Sequence, residues 1–297
     1  MFRAALSSLP PRPLRRRIAL SQNFLHDPRT IETSLDRSTV GPDDVVYEIG
    51  PGGGAITNRL SLRCRHVVAV EKDAQLAERL RRRFSGRPNV TVFLDDFLTF
   101  PLPVTRYKVF SNVPFAVTAG IVTRLTEANN PPEDAYLAVQ REAAQRFCGG
   151  PRETLVSLLL KPRFEPSVVH RFSRKDFTPE PGVDVVLLRV RKRDPPLLTP
   201  AEAQDYGDFV TFGFTAWQPT VARAYAGVLE HHHTVDLSLC VKPADLPFTE
   251  WLRLFRRFAE VASPAGRALV RGAGARLRAQ QGALQKEHRT RLVRSGS

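Results

Sequence analysis

The stretch DVVYEIGPGGGA, residues 44–55, joins a strand-like run to a glycine-rich turn that opens a helix. Its valines and isoleucine indicate a strand that is buried in a sheet. Gly50, Gly52 and Gly54 allow the backbone to bend sharply and to approach a ligand beside the amino terminus of the helix. A turn with only a structural role is the alternative. The stretch therefore predicts the first unit of an α/β sheet with a candidate ligand site at its edge.

Similar strand-like runs follow along the chain, separated by helix-like segments. They cover residues 66–71, 89–94, 108–113 and 135–140. Because strands that alternate with helices form parallel sheets covered on both faces, we predict a Rossmann-like α/β fold. Two later runs, 163–172 and 183–193, have no helix between them, which predicts an antiparallel pair at one edge of the sheet.

The strand pattern disappears beyond residues 193–200, which have the composition of a linker. We predict a small C-terminal all-helical domain there, including a helix over 248–262. The tail is so basic that we expect it to be disordered when free and to order on RNA; a merely solubilising tail is the alternative. The predicted organisation is a basic arm (1–18), a catalytic domain (19–194), a helical RNA-binding domain (195–264) and a basic tail (265–297).

The charge balance of the chain indicates the kind of partner. Its 297 residues include 44 Lys and Arg against 30 Asp and Glu, a formal net charge of +14. This excess favours polyanionic partners, with nucleic acid first and an anionic membrane second. No apolar run approaches about 18 residues, so we expect no membrane span.

The cysteines and histidines give no sign of a metal site. The three cysteines lie far apart and form no C-x-x-C pair, which predicts a reduced, cytoplasmic setting. The histidine row at 231–233 has no cluster of further ligands beside it and indicates a polar loop. We therefore expect no bound metal.

The amino-terminal 26 residues contain five arginines and no acidic residue. This composition is typical of a mitochondrial presequence, which is one interpretation. The prolines of LPPRPLRRR, however, disfavour an amphipathic targeting helix. We interpret the segment as a basic arm that contacts RNA phosphates, with Arg15, Arg16 and Arg17 as candidates.

The glycine turn is compatible with two cofactors. Gly50-x-Gly52-x-x-Ala55, with Glu71 about 20 residues on, satisfies the dinucleotide pattern, in which the acid holds a ribose. The turn suits S-adenosylmethionine equally well, because that cofactor also carries an adenosine. Asp96 follows the third strand, where a carboxylate can accept a hydrogen bond from an adenine amino group; a turn cap is the alternative.

The stretch FSNVPFAV, residues 110–117, distinguishes between these cofactors. An adenine N6 amine is a poor nucleophile because its lone pair is delocalised into the ring. The side chain of Asn112 and the carbonyl before Pro114 can accept its two hydrogens, and Phe115 can stack on the base. Alignment then supplies much of the catalysis. The stretch favours methylation of an exocyclic amine over hydride transfer; a strand end with a core phenylalanine is the alternative.

Six stretches together resemble the ribosomal RNA adenine N6-methyltransferases in order and spacing. The resemblance covers about residues 15–195, and FSNVPFAV is closest to the erythromycin-resistance (Erm) branch, since Ala116 replaces the second Asn of the small-subunit rRNA dimethyladenosine transferases. Val113 and Lys72 depart mildly from the usual pattern. The stretches are LSQNFLHD (20–27), EIGPGGGAIT (48–57), VEKD (70–73), DDFL (95–98), SNVPF (111–115) and FTPEPGVDVVLL (177–188).

This resemblance implies a monomeric, S-adenosylmethionine-dependent enzyme that methylates one adenine of 23S rRNA, either protein-free or in precursor particles. Macrolide, lincosamide and streptogramin B resistance would follow. A small-subunit or mitochondrial rRNA dimethyladenosine transferase is the alternative, and the number of methyl groups stays open. A binding protein of the same fold that has lost catalysis and an NAD-linked oxidoreductase are the other hypotheses.

The resemblance also implies roles for individual residues. Cofactor contacts would come from the amino-terminal segment, the glycine turn and the ends of three strands. The target base would be held by the N-V-P-F residues and closed in by Phe177, for which a hydrophobic plug is the alternative. The net charge, independently of the resemblance, makes the arm and a second basic cluster candidates for contacts with RNA phosphates; for any one of these residues a merely solvated charge is the alternative. The implied cofactor residues are Gln22, Asn23, Leu25, Gly50, Gly52, Glu71, Asp96 and Asn112, the implied catalytic ones are Asn112, Pro114 and Phe115, and the candidates for phosphate contacts are Arg15, Arg16, Arg17, Arg171, Arg174 and Lys175.

Overall fold

The computed structural model describes residues 23–230, 237 and 239–294, with side chains up to residue 283. The strands are β1 (Phe24–Leu25), β2 (Val45–Ile49), β3 (His66–Glu71), β4 (Val90–Leu94), β5 (Lys108–Asn112), β6 (Asp134–Gln140), β7 (Phe164–Arg171), β8 (Phe177–Thr178) and β9 (Val185–Lys192). The helices are α1 (Pro28–Asp36), α2 (Ala55–Leu60), α3 (Ala74–Arg83), α4 (Thr118–Glu127), α5 (Arg141–Cys148), α6 (Leu155–Leu160), α7 (Pro200–Thr215), α8 (Val221–Ala224), α9 (Phe248–Val261), α10 (Pro264–Val270) and α11 (Ala273–Arg294).

A seven-stranded sheet forms most of the first of two compact units, whose described residues are 23–145 and 164–192. The strand order is β4-β3-β2-β5-β6-β9-β7, and the first five strands are parallel. β9 runs antiparallel to β6, and β7 runs antiparallel to β9 at the edge. The predicted parallel α/β sheet and its antiparallel edge pair are both confirmed.

The turns at the carboxyl ends of the strands follow from local chemistry. After β2, Gly54 adopts a left-handed conformation with φ of 78° and leads into α2. After β3, Asp73 caps α3, because its Oδ1 accepts hydrogen bonds from the Gln75 and Leu76 amides at 2.8 and 3.3 Å. Since parallel strands end at the same edge, both turns lie at one side of the sheet.

A small two-stranded sheet was not expected from the sequence. β1 pairs antiparallel with β8, so that Phe24 lies opposite Thr178 and Leu25 opposite Phe177. The pairing fastens the amino-terminal segment to the connection between β7 and β9. Each strand has only two residues, which is too short for an alternating hydrophobic pattern to be visible.

The second unit comprises residues 146–163 and 193–297 and is helical in the part that the structure describes. Its core is aromatic, and Phe209 contacts Tyr225 and Phe258 with ring centroids 4.5 and 4.8 Å apart. The predicted helix over 248–262 is confirmed as α9. Among the described helices, none is long and apolar enough to cross a membrane.

Two expected boundaries differ from the structure. Residues 146–163, assigned to the catalytic domain from the sequence, cluster with the helical unit, because Leu158 is fully buried in its core. The tail expected to be disordered carries α10 and α11. The start of α11 is stabilised by Asp208 of α7. This carboxylate accepts hydrogen bonds from the Gly272 and Gly274 amides at 2.6 and 3.0 Å and so caps the helix.

Candidate active site

A cavity of about 440 Å³ opens at the carboxyl edge of the parallel strands, where β2 gives way to the glycine turn. Ligand sites of α/β sheets lie at this edge. Strand β1, the glycine turn, α3 and the end of β5 form its walls. The lining residues are Phe24, Leu25, His26, Glu48, Gly50, Pro51, Gly52, Gly53, Ala55, Ile56, Leu76, Arg79, Leu80, Arg83, Asn112 and Thr178.

The glycine turn needs a residue without a side chain where it meets β1. Gly52 has φ of 57°, and a Cβ built on it would lie 2.3 Å from Cε1 of Phe24. Both the backbone conformation and the contact exclude a larger residue. The amino-terminal segment therefore closes directly over the turn.

Glu71 lies behind the turn instead of lining the cavity. Its Oε2 accepts a hydrogen bond from the Gly52 amide at 3.1 Å, and its Oε1 accepts one from the Asp73 amide at 2.8 Å. Burial raises the pKa of this carboxyl, while the two amides counteract the shift. Each carboxylate oxygen retains acceptor capacity, so the side chain both holds the turn in place and suits a hydroxyl ligand.

Glu48 is the carboxyl that lines the cavity. It is 1% exposed, and its Oε2 accepts a hydrogen bond from Oγ1 of Thr57 at 2.6 Å. Burial raises the pKa of Glu48 to about 8, partly offset by Thr57. The side chain therefore holds a proton at neutral pH until a cation in the cavity favours its release.

Asp96 lies outside the cavity lining and already has two partners. Its Oδ2 accepts a hydrogen bond from Nζ of Lys72 at 2.6 Å, and its Oδ1 accepts one from the Leu98 amide at 3.0 Å. The Lys72 contact holds the pKa of Asp96 below its usual value. The expected adenine contact thus requires Asp96 to share an oxygen with Lys72 or with the turn.

The N-V-P-F residues form a second, smaller cavity that meets the first at Asn112. It is lined by Asn23, Phe24, Gly50, Asn112, Val113, Pro114 and Phe115. The amide nitrogen of Asn112 donates a hydrogen bond to the main-chain oxygen of Asn23 at 2.6 Å, while Nδ2 of Asn23 donates to the oxygen of Pro179 at 2.8 Å. The structure thus brings together the amide, the proline and the half-buried aromatic that the sequence singled out.

Phe177 does not line either cavity. It is 1% exposed and packs edge-on against Phe172, with ring centroids 5.4 Å apart. Its neighbour Thr178 lines the larger cavity instead. Successive residues of a strand point to opposite sides, so Thr178 faces the larger cavity while Phe177 faces the core, and neither residue lines the N-V-P-F cavity.

The expected phosphate contacts are distributed unevenly. Three of the expected phosphate contacts lie outside the described residues, namely Arg15, Arg16 and Arg17. The expected cofactor residue Gln22 and the histidine row at 231–233 also lie outside them. Arg174 forms an ion pair with Asp184 at 3.0 Å. Lys175 is exposed beside it, and Arg171 is exposed at the end of β7.

Several cavity residues were missed by the sequence reasoning. Arg79 and Arg83 of α3 were not among the expected site residues, yet both line the cavity, and Nη1 of Arg83 donates a hydrogen bond to the oxygen of Gly53 at 2.5 Å. Helical spacing identified their polar face but not what that face borders. Over the described residues, no group of three or more His, Cys, Asp and Glu side chains has the arrangement of a metal site.

The chain is similar in sequence to enzymes that modify ribosomal RNA. Residues 14–258 match the family described as Ribosomal RNA adenine dimethylase. The rRNA adenine N-6-methyltransferase of Saccharopolyspora erythraea is 33% identical over 270 residues, which are 87% of this chain and 69% of that protein. Ribosomal RNA small subunit methyltransferase A of Chlorobium phaeobacteroides is 30% identical over 80% of this chain and 89% of its own length.

A solved structure shows the same architecture. The crystal structure of the 23S rRNA methyltransferase ErmE superimposes with a TM-score of 0.75 at 31% sequence identity. The alignment covers 80% of this chain and all of the ErmE chain. A dimethyladenosine transferase from Plasmodium falciparum shares the fold, with a TM-score of 0.59 at 20% identity.

Proposed function

Because this chain belongs to the ribosomal RNA adenine dimethylase family, we propose that it transfers a methyl group from S-adenosylmethionine to the N6 amine of one adenine in 23S rRNA. It is an rRNA adenine N6-methyltransferase, and resistance to macrolides, lincosamides and streptogramin B is the consequence. The observation that carries the proposal is Asn112, the polar side chain that, together with Phe24 and Gly50, lines both the large cavity and the N-V-P-F cavity.

The larger cavity fits S-adenosylmethionine. Its volume of about 440 Å³ lies within the range of about 300–1,000 Å³ found for small-molecule sites. When bound, this cofactor supplies an activated methyl group on a positively charged sulfur, and the buried carboxyl of Glu48 is suited to such a charge. The residues proposed to hold it are Gln22, Asn23, Leu25, Gly50, Gly52, Glu71, Asp96 and Asn112.

The protein's own groups prepare the target amine. The hydrogen bond to Asn23 uses the amide nitrogen of Asn112 and so leaves its Oδ1 as the acceptor for an N6 hydrogen. The carbonyl of Val113, which precedes Pro114, is the proposed second acceptor. Two acceptors disfavour the planar amine and restore its nucleophilicity, while Phe115 stacks on the ring with a free energy of about 1–3 kcal/mol.

The substrate RNA must present its base outside the stack. Extrusion of a paired base costs a few kcal/mol, whereas an unpaired adenine avoids most of that cost. The net charge of +14 supplies sequence-independent attraction to phosphates. The proposed partner is therefore 23S rRNA, protein-free or in precursor particles.

Methyl transfer to purified ribosomal RNA tests the proposal. Tritiated S-adenosylmethionine is incubated with the protein and either protein-free 23S rRNA or assembled small-subunit particles. We expect label in 23S rRNA, and none when Asn112→Ala replaces the wild type. Label confined to small-subunit particles would contradict the proposal and favour the activity named for the Chlorobium relative.

A further inference from the structure

A second concave surface lies at the free edge of the sheet, away from the cavities of the active site. It has a volume of about 470 Å³ and is lined by five residues, namely Arg37, Val168, Val169, His170 and Arg171. We refer to it as the edge groove. No role described so far involves Arg37 or His170.

The first cation of the edge groove is held in place. Arg37 follows the last residue of α1, and its Nη1 donates a hydrogen bond to the main-chain oxygen of Val169 at 3.0 Å. This bond uses one of the five N–H donors of a planar guanidinium. An arginine that is already oriented loses less conformational entropy when it binds a ligand.

The lining of the edge groove carries two arginines, one histidine and no carboxylate. Asp176 and Asp184, the acids whose charges act on His170 and Arg171, have hydrogen-bond partners of their own. Asp184 is shared by Arg141 and Arg174, each at 3.0 Å, and also attracts Arg171. The surroundings therefore favour an anionic ligand.

The surroundings of His170 determine its charge. Burial and the neighbouring Arg37 lower its pKa, against a smaller opposite effect of Asp176. Its ring is therefore a neutral hydrogen-bonding group at neutral pH. The two arginines remain as the cations of the edge groove.

The register of the sheet relates the edge groove to the active site. His170 lies opposite Leu187, Leu187 opposite Ala138, and Ala138 opposite Asn112. These four residues form one row across four adjacent strands. Three strand spacings of about 4.8 Å separate the ends of the row by about 14 Å.

An aromatic contact path runs from the same histidine toward the core. The ring of His170 packs edge-on against Phe172 at 4.8 Å, and Phe172 packs against Phe177 at 5.4 Å. Phe115 and Val169 pack against the hydrophobic cluster that contains Phe172 and Phe177. The edge groove thus has a packed connection to the residue proposed to stack on the target base.

We propose that the edge groove binds the phosphodiester backbone of the substrate RNA, a few nucleotides from the target adenine. Arg37 and Arg171 bind phosphate oxygens, and His170 adds a hydrogen bond. A stacked strand advances about 3.4 Å per nucleotide, so 14 Å corresponds to about four nucleotides. The inference rests on the proposed function for the identity of the polyanion.

The test uses the full-length protein and three variants. Arg171→Gln removes one cation, and Arg37→Gln combined with Arg171→Gln removes both. The matched control is Arg106→Gln, which removes an exposed arginine just before the start of β5, the central strand of the sheet, where its partner is Glu133. Dissociation constants for 23S rRNA fragments are measured between 50 and 200 mM salt, together with S-adenosylmethionine binding and the transfer rate at saturating RNA.

Each lost phosphate contact reduces the slope of log K against log salt by about one. We expect the absolute value of this slope to decrease by about one for Arg171→Gln and by about two for the double variant. The slope should be unchanged for Arg106→Gln. Cofactor affinity and the saturated transfer rate stay within about twofold, since neither arginine lines the cofactor cavity. Arg171 is exposed, so its variant does not depend on the packing of Arg37.

Equal salt slopes for the double variant and the Arg106 control would overturn the proposal. A wild-type transfer rate to 23S rRNA in that case would leave the proposed function intact. Absence of transfer by the wild type would instead contradict the proposed function. Binding of anionic vesicles that is lost in the double variant, with RNA binding unchanged, would assign the edge groove to a membrane surface and also overturn the inference.

Discussion

The side-chain amide of Asn112 donates a hydrogen bond of 2.6 Å to the main-chain oxygen of Asn23. This bond links the end of β5 to the amino-terminal segment and determines which side of the amide faces the N-V-P-F cavity. An ionised aspartate has no donor, so Asn112→Asp places a carboxylate against that carbonyl. We expect methyl transfer to fall by about 10²-fold or more, as it does for misplaced catalytic groups.

The matched control for this variant is Asn130→Asp. Asn130 also donates from Nδ2 to main-chain oxygens, those of Pro103 and Thr105 at 2.9 and 2.8 Å, but far from either cavity. Its variant should lose stability and keep its transfer rate per folded molecule. Equal transfer rates for Asn112→Asp and wild type would show that the amide orientation has no catalytic role.

Phe115 is expected to act through the base. Its ring lines the N-V-P-F cavity and is half-buried. Phe115→Ala removes a stacking free energy of about 1–3 kcal/mol, which corresponds to a roughly 5- to 150-fold loss in kcat/KM for RNA. Phe115→Tyr keeps the ring and should retain most of the activity. Steady-state kinetics with a short 23S rRNA hairpin measure both, and equal losses in the two variants would exclude stacking.

The centre of the sheet could be predicted from the sequence because its strands are mostly buried apolar runs. Six of the seven residues of β6 are buried, and a continuous apolar run of that length between turn residues is a clear signal. The glycine turn indicated the start of a helix through local chemistry. Backbone preference and burial act over a few neighbouring residues, which is the range that a sequence pattern records.

The parts of the site that depend on distant contacts could not be predicted. Thr178 reaches the cavity only because β8 pairs with β1, about 150 residues earlier in the chain. Arg79 and Arg83 lie on the polar face of α3, where spacing cannot distinguish solvent from a cavity wall. Arg37 and His170 come together because β7 and the end of α1 are neighbours in space. None of these relationships has a local signature.

The buried carboxyl of Glu48 predicts a pH-dependent stability. Its folded pKa of about 8 exceeds its usual value of 4.5, so between these values the native state holds a proton that the unfolded chain has lost. Raising the pH through this range therefore lowers the free energy of unfolding, by roughly 1 kcal/mol per pH unit. Urea denaturation at pH 6 and pH 8 should show this loss for the wild type.

The variants Glu48→Gln and Glu78→Gln separate the effect of Glu48 from the general effect of pH. Glutamine at 48 can still accept the Thr57 hydrogen bond but does not titrate. The pH dependence should therefore shrink in Glu48→Gln. Glu78 is exposed and pairs with Arg82, and exposed pairs contribute little to stability, so Glu78→Gln should behave as the wild type. The same pH dependence in all three proteins would contradict a protonated Glu48.

A buried ion pair at the start of β6 predicts a large loss of stability. Asp134 is 3% exposed and accepts a hydrogen bond from Nε of Arg189 at 2.9 Å and one from the Tyr136 hydroxyl at 3.0 Å. Arg189→Met leaves the carboxylate buried without its cation, which costs about 3–5 kcal/mol. The urea midpoint should fall accordingly.

Strand β9, which carries Arg189, also provides the control for this prediction. Arg191→Met breaks the pair of Arg191 with Glu165, whose side chains are both exposed. Exposed pairs contribute about 1 kcal/mol or less, so its midpoint should hardly change. Similar urea midpoints for the two methionine variants would show that the burial of Asp134 does not make its pair with Arg189 more important for stability than an exposed pair.

The most direct test of the central claim is a mass map of ribosomal RNA from cells that express this protein. Nuclease fragments of 23S and 16S rRNA are compared with those from cells that express Asn112→Ala. The account predicts that one 23S fragment gains the mass of one or two methyl groups on a single adenine and that the variant lacks this gain. Unmodified 23S rRNA with new dimethyladenosine in 16S rRNA would contradict the account.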